Sequence, residues 1–241
     1  MQREPVEIHV DNEKIRGILY IPESNSKKVG VLLIHGWTGK PNHAAAEILA
    51  KNGYKVLAIS LRGHNDSDGD IRRVSRKKSL DDAIAAYDYL NSALRPSSPI
   101  AVVGSSYGSY IAVMLSAKRV VSALSLRVPA TYPDEGFDDA QWGMGGENPR
   151  INAWRKTTVS FDKNTAFKNL HNFNGQVQII EAGQDEQVPS EAIKNYIDAI
   201  NSKSKLEYHL MKDWPHSLGD NIENNRHFQV ILLSWLNNIV K

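Results

Sequence analysis

The chain of 241 residues contains no cysteine. Disulfides, thiolate zinc centres and cysteine nucleophiles are thereby excluded, and a reducing compartment fits without being required. No apolar run approaches the ~20 residues needed to cross a bilayer. The first residues, MQREPVEIHVDNEK, put charges where a signal peptide needs its apolar stretch. A cytoplasmic protein with no membrane partner is expected. Charge of one sign is not in excess either. The 29 Lys and Arg nearly cancel 27 Asp and Glu, a net charge of +2, so there is no electrostatic reason to expect nucleic acid or an anionic membrane as partner. Internal repeats and low-complexity tracts are also missing.

What is present is an ordinary globular composition, 41% apolar and 23% charged, in a chain long enough for one α/β domain with an insertion. Val6–Val10 and Ile15–Ile21 read as an antiparallel hairpin. VGVLLI (Val29–Ile34) and YKVLAISL (Tyr54–Leu61) read as buried strands, with a helix over His43–Asn52 stopped by Gly53. Further on, helices are expected over Lys78–Leu94, Tyr107–Ala117, Glu191–Ile200 and Ile222–Ile239. Strands are expected at Ile100–Val103, Val120–Val128, Gln176–Ala182 and Lys205–Met211. The alternation predicts an α/β fold with a mostly parallel central sheet and helices on both faces. Only residues 129–174 break it. They are rich in Gly, Pro, Asp and Asn, and too long for a structureless loop, so they read as a small cap insertion on a single domain spanning 1–241.

The stretch VVGSSYGS (Val102–Ser109) lies where a buried strand should turn into a helix. A phosphate-binding loop would need Lys and then Ser or Thr after its last glycine, and a dinucleotide fingerprint would need three glycines in another spacing; neither is met. Gly104, Ser106 and Gly108 do match Gly-x-Ser-x-Gly, the turn that exposes a nucleophilic serine at the start of a helix. The spacing selects Ser106; Ser105 and Ser109 read as small residues at a crowded turn.

A serine nucleophile needs a base, an orienting acid and donors for the oxyanion. The partners should follow in the order acid, then histidine. Among eight histidines, His216 in WPHS alone falls after the last strand and before the last helix. The acid should follow QVQIIEA, which nominates Asp185 in GQDEQVP; Glu186 is a neighbour open to confusion with it, and Asp134 or Glu135 would serve if the acid sat one strand earlier. The oxyanion donors are assigned to the backbone N–H groups of Trp37, in HGWTG, and of Tyr107. His35 is read as holding that loop. Trp37, Trp142, Met144 and Trp154 are candidates for the wall of a substrate pocket.

HGWTG, GSSYG, AGQDEQVP and WPHS occur in the order found in the α/β-hydrolase superfamily, which the whole chain resembles. Within it the sequence is similar to small bacterial esterases of the cinnamoyl/feruloyl esterase and monoacylglycerol lipase type, and to the catalytic domains of prolyl oligopeptidase-like peptidases. SLRGHNDSDG (Ser60–Gly69) resembles their D-x-RGHG-x-S loop, with Ser60 in place of Asp and Asn65 in place of Gly. The resemblance implies a serine carboxylesterase for small or medium acyl or aryl esters, with Ser106, His216 and Asp185 as triad, a small-molecule ester as partner, and no metal or organic cofactor. Alternatives are an amide or peptide hydrolase, with Asp134, Glu135, Asp138 and Asp139 binding a substrate amine, a thioesterase or acyltransferase, or a non-catalytic binding protein. The sequence leaves the oligomeric state open.

Overall fold

The computed structural model describes residues 1–24, 27–140, 148–219 and 221–239. The opening hairpin pairs β1 (Gln2–Val10) antiparallel with β2 (Glu13–Ile21). β2 then pairs antiparallel with β4 (Lys55–Ser60). From there β3 (Gly30–Ile34), β5 (Ile100–Ser105), β6 (Ala123–Arg127), β7 (Gln176–Gln184) and β8 (Leu206–Pro215) run parallel. The spatial order is β1-β2-β4-β3-β5-β6-β7-β8.

The central strands are mostly apolar because both of their faces are covered. Alternate residues serve opposite cores. Val31, Leu33, Val56 and Val103 pack against α1 (His43–Lys51) and α7 (Ile222–Ile239). Leu32, Ile34, Leu57 and Val102 pack with α2 (Arg76–Ser92), α3 (Tyr107–Ser116), α5 (Thr165–Asn172) and α6 (Ser190–Ala199) on the other face. Helix starts follow local chemistry: Asn42 caps α1 by accepting from Ala45 N at 3.0 Å, and Ser75 caps α2 by accepting from Lys78 N at 3.1 Å.

The expected fold class, a mostly parallel sheet with helices on both faces, is the one observed. β7 and β8 run beyond the predicted ends at Ala182 and Met211, and this extension matters for the site. Between β6 and β7, the described part of 129–174 holds α4 (Pro149–Arg155) and α5. α5 turns Ala166, Phe167 and Leu170 into the core shared with α3 and α6, so it belongs to the helical layer. Among the described residues no helix is long and apolar enough to cross a membrane.

Candidate active site

The turn from β5 into α3 is built around steric exclusion. Ser106 has φ 53° and ψ −115°, a strained region for a residue with a side chain. A Cβ on Gly104 would sit 2.4 Å from Gly108 O, and one on Gly108 would sit 2.3 Å from Ile34 O. Only glycine lets strand, turn and helix approach this closely. Ser106 N donates to Arg127 O at 2.8 Å, which pins the turn to the end of β6. Ser106 caps α3 with its backbone alone, and its side chain is left for other partners.

His216 follows β8 directly and Asp185 follows β7 directly. The two strand ends are brought level by a register shift at Gly183, after which Gln184 lies opposite Pro215. Asp185 and His216 thus emerge side by side. His216 Nδ1 is 2.8 and 2.9 Å from the Asp185 oxygens, and His216 Nε2 is 3.0 Å from Ser106 Oγ. The His216 and Asp185 side chains are only 9% and 4% exposed. Asp185 Oδ1 also accepts from the backbone N–H groups of Gln187 and Val188, at 2.9 and 2.8 Å, which fixes the carboxylate plane. Of the other candidate acids, Glu186 accepts from the His216 backbone N and from Gln187 Nε2, each at 3.4 Å. The Asp134 carboxylate instead accepts from Thr165 N and Oγ1 and from Asn164 Nδ2, at the start of α5.

β3 and β5 pair with Ile34 opposite Gly104, so the turn after β3 lies beside the serine turn. Gly39 N closes it onto Gly36 O at 2.9 Å, with Thr38 at φ 57°. His35 holds the turn as expected from the sequence. Its Nδ1 donates to Gly36 O at 2.7 Å, and its Nε2 accepts from Leu61 N at 3.0 Å. Burial, and then the neighbouring His64, push its pKa down to about 4, so it stays neutral. Trp37 lies on this turn with its ring edge-on to Tyr107, 5.2 Å between centroids. Tyr107 N–H is in the first turn of α3, where amides lack an intrahelical acceptor and the helix dipole favours negative charge.

A cavity of about 350 Å³ opens on Ser106 and His216. It extends toward the α1–α7 side of the sheet, between Leu33, Val103, Ala45, Leu218 and Phe228, with Trp37 on its lining. Among the described residues no group of three His, Asp or Glu could hold a metal ion.

The alpha/beta hydrolase family model matches residues 31–217, the stretch that carries Ser106, Asp185 and His216. The chain belongs to the alpha/beta hydrolase family. No curated protein matches it. Solved structures share the fold of this alpha/beta hydrolase at low identity. Est1E from Butyrivibrio proteoclasticus, solved with ferulic acid bound, superposes with a TM-score of 0.72 at 20% identity, over 98% of this chain and 99% of its own. The esterase Pf2001 from Pyrococcus furiosus gives 0.73 at 20% identity, over 100% of this chain and 94% of its own. A predicted CIB-like hydrolase from Thermoplasma acidophilum gives 0.68 at 16% identity, over 99% of both chains.

Three sequence candidates for the pocket wall of this hydrolase lie away from the cavity or outside the described residues. Trp154 does not line the cavity; its ring stacks on Phe167, with 6.4 Å between centroids, and packs on the core around α3, α5 and α6. An indole on that helix face gains more from apolar burial than it would at a wet cavity wall. Trp142 and Met144 lie outside the described residues. Two residues that sequence reasoning passed over do matter. Arg127 reaches from β6 to Ser105 Oγ, at 2.6 and 3.0 Å, and to His216 O, at 2.8 Å. Arg155 of α4 donates to Thr131 O and to Gln187 O, tying the 129–174 segment to the loop that carries Asp185. A lone arginine in the apolar run ALSLRV was the available signal for the first, since a charge in a doubly covered strand must find partners.

Proposed function

We propose that this alpha/beta hydrolase is a serine carboxylesterase acting on small to medium acyl or aryl esters, with Ser106 as nucleophile, His216 as base and Asp185 as its orienter. The observation that carries the reading is the unbroken hydrogen-bond chain from Ser106 Oγ through both ring nitrogens of His216 to Asp185. Asp185 accepts the Nδ1 proton and so leaves Nε2 free to accept from the serine hydroxyl. As Oγ attacks the ester carbonyl carbon, His216 takes its proton. The carbonyl oxygen becomes an oxyanion held by the N–H groups of Trp37 and Tyr107. Collapse breaks the bond to the alkoxy oxygen, which leaves as the alcohol with the proton from His216. Water, deprotonated by His216, then releases the acid and restores Ser106.

The cavity volume lies near the lower end of the ~300–1,000 Å³ typical of ligand sites, which suits a short acyl or single-ring group. The fold likeness to Est1E with its bound ferulic acid makes aryl esters the first to try. The test is hydrolysis of a chain-length panel of p-nitrophenyl esters, and of methyl ferulate, by the protein and by Ser106→Ala. Serine-dependent turnover is expected on the shorter members. Turnover that survives Ser106→Ala unchanged, or none on any ester, refutes the reading.

A further inference from the structure

We propose that Arg127 is a positioning residue that ties the serine turn to the His216 loop and supplies the positive charge balancing Asp185; the inference rests on the serine-hydrolase reading above. Arg127 is the last residue of β6, in register with Ser105 on β5 and Ile180 on β7. That register lets one residue hold three parts of the site. Its carbonyl accepts from Ser106 N at 2.8 Å and from Ser109 Oγ at 3.2 Å. Its Nε and Nη2 both donate to Ser105 Oγ, at 3.0 and 2.6 Å. Its Nη1 donates to the carbonyl of His216 at 2.8 Å. Ser105 is therefore the hydroxyl that receives the guanidinium fork.

The charge of Arg127 has a consequence separate from its hydrogen bonds. Arg127 is only 9% exposed, and none of the ion pairs among the described residues includes it. A buried cation without a compensating anion is costly, and the anion acting on this one is Asp185. Burial, partly offset by the Asp185 charge, brings the Arg127 pKa down to about 10, so the side chain is charged at neutral pH. The Asp185 carboxylate is the counter-charge to the buried guanidinium. A cation held against the His216 loop repels a second positive charge placed there. The other groups around His216 are Asp185 on its Nδ1, Ser106 on its Nε2, the exposed Glu186 on its backbone N, and neutral His35 and exposed Lys40 across the cavity.

The test compares pH profiles of kcat/KM on p-nitrophenyl butyrate, and of the rate of fluorophosphonate labelling of Ser106, for wild type, Arg127→Met, Arg127→Lys and Ser105→Ala, with a melting curve for each. The acid limb of such a profile reports the general base of the reaction. In Arg127→Met that limb is expected to move up by about one pH unit, because the imidazolium is no longer opposed. Arg127→Lys keeps the charge but lacks the fork; its limb should stay in place while kcat falls roughly tenfold from looser placement of the base. Ser105→Ala should likewise lower kcat with an unmoved limb. A mere packing role would lower kcat or melting temperature and leave every limb where it was. An unmoved limb in Arg127→Met overturns the proposal, as does an equal upward move in Arg127→Lys. Where Arg127→Met does not accumulate folded, Arg127→Gln takes its place with the same criteria. Wild-type Ser106 that fails to label overturns the serine-hydrolase reading and this inference with it, whereas labelling with unmoved limbs overturns this inference alone.

Discussion

Gly183→Ala tests whether the end of the sheet, rather than the loops beyond it, places the base. A Cβ at Gly183 would lie 2.4 Å from Lys212 O and 2.8 Å from Lys212 Cα, all backbone atoms that no side-chain rotation can clear. Ordinary contact begins at 3.4 Å, so β7 and β8 must separate by about 1 Å where Asp185 and His216 depart from them. Misplacement of that size costs ~10²-fold in rate. Overpacking costs ~1–3 kcal/mol, which lowers Tm by roughly 2–12 °C for a chain of this length. The loss should fall on kcat, since the cavity walls at Leu33, Ala45, Val103 and Phe228 lie on other elements. Gly219→Ala is the control: it sits in the same loop as His216, with φ 47° and nothing within 4 Å of where a Cβ would sit, so it should lose ~1 kcal/mol of stability and little activity. Full kcat in a Gly183→Ala protein whose Tm has fallen would refute the reasoning, because the strand ends would then have moved without carrying the base.

Other consequences can be checked with the same ester assay and with denaturant. Asp185→Asn, which can present an amide N–H to His216 Nδ1 and favour the wrong tautomer, should lower kcat by about 10⁴-fold, and should also lower Tm because buried Arg127 loses its counter-charge. Ala45→Phe fills the cavity between α1 and the sheet; turnover of the longest accepted p-nitrophenyl ester should fall at least ~10-fold while acetate is spared, and equal losses on both would place the acyl group elsewhere. His35 binds a proton at 6.5 when unfolded but only at about 4 when folded, so its contribution to stability is complete above pH 6.5 and is lost as the pH falls toward 4. That contribution is worth ~3 kcal/mol. Urea midpoints at pH 7 and pH 4.5 should therefore converge in His35→Gln relative to wild type, and an equal drop in both proteins would discount the group.

The sequence was most legible where one local rule decides the outcome. Two-sided burial makes VGVLLI and YKVLAISL read as strands without any partner in view, and they form β3 and β4. Gly104 is dictated by contacts within its own strand–helix turn and Gly108 by the adjacent end of β3, and the spacing of the two glycines distinguishes Ser106 from Ser105. Strand ends were less legible. Lys212–Pro215 carries Asp, Trp and Pro and looks like a loop, yet it pairs with β7 because the register shift at Gly183 realigns the two chains. The aromatic residues of 129–174 gave no direction at all. Trp154 is as compatible with a cavity wall as with packing on Phe167, and only the path of α5 into the helical layer decides between them.

Arg127 and Ser105 show why some of the site could not be read locally. Arg127 belongs to no motif, and Ser105 fills a variable position of GSSYG, a small residue in a turn that small residues already explain. Their pairing depends on β6 lying beside β5 in a register that sets Ser105 opposite Arg127, which is a property of the sheet. The same sheet order places the four strand ends of the site in two adjacent pairs, β3 with β5 and β7 with β8, and β6 is the strand between them. The β3–β5 pair carries the Trp37 turn and Ser106; the β7–β8 pair carries Asp185 and His216. Any error in the spacing of β6 would separate nucleophile from base while leaving each pair intact. A side chain at the end of β6 that bonds to the serine turn on one side and to the His216 carbonyl on the other spans that gap. The residue best suited to the span is arginine, whose rigid fork donates in two directions at once, and whose charge is tolerable there because Asp185 acts as its counter-charge.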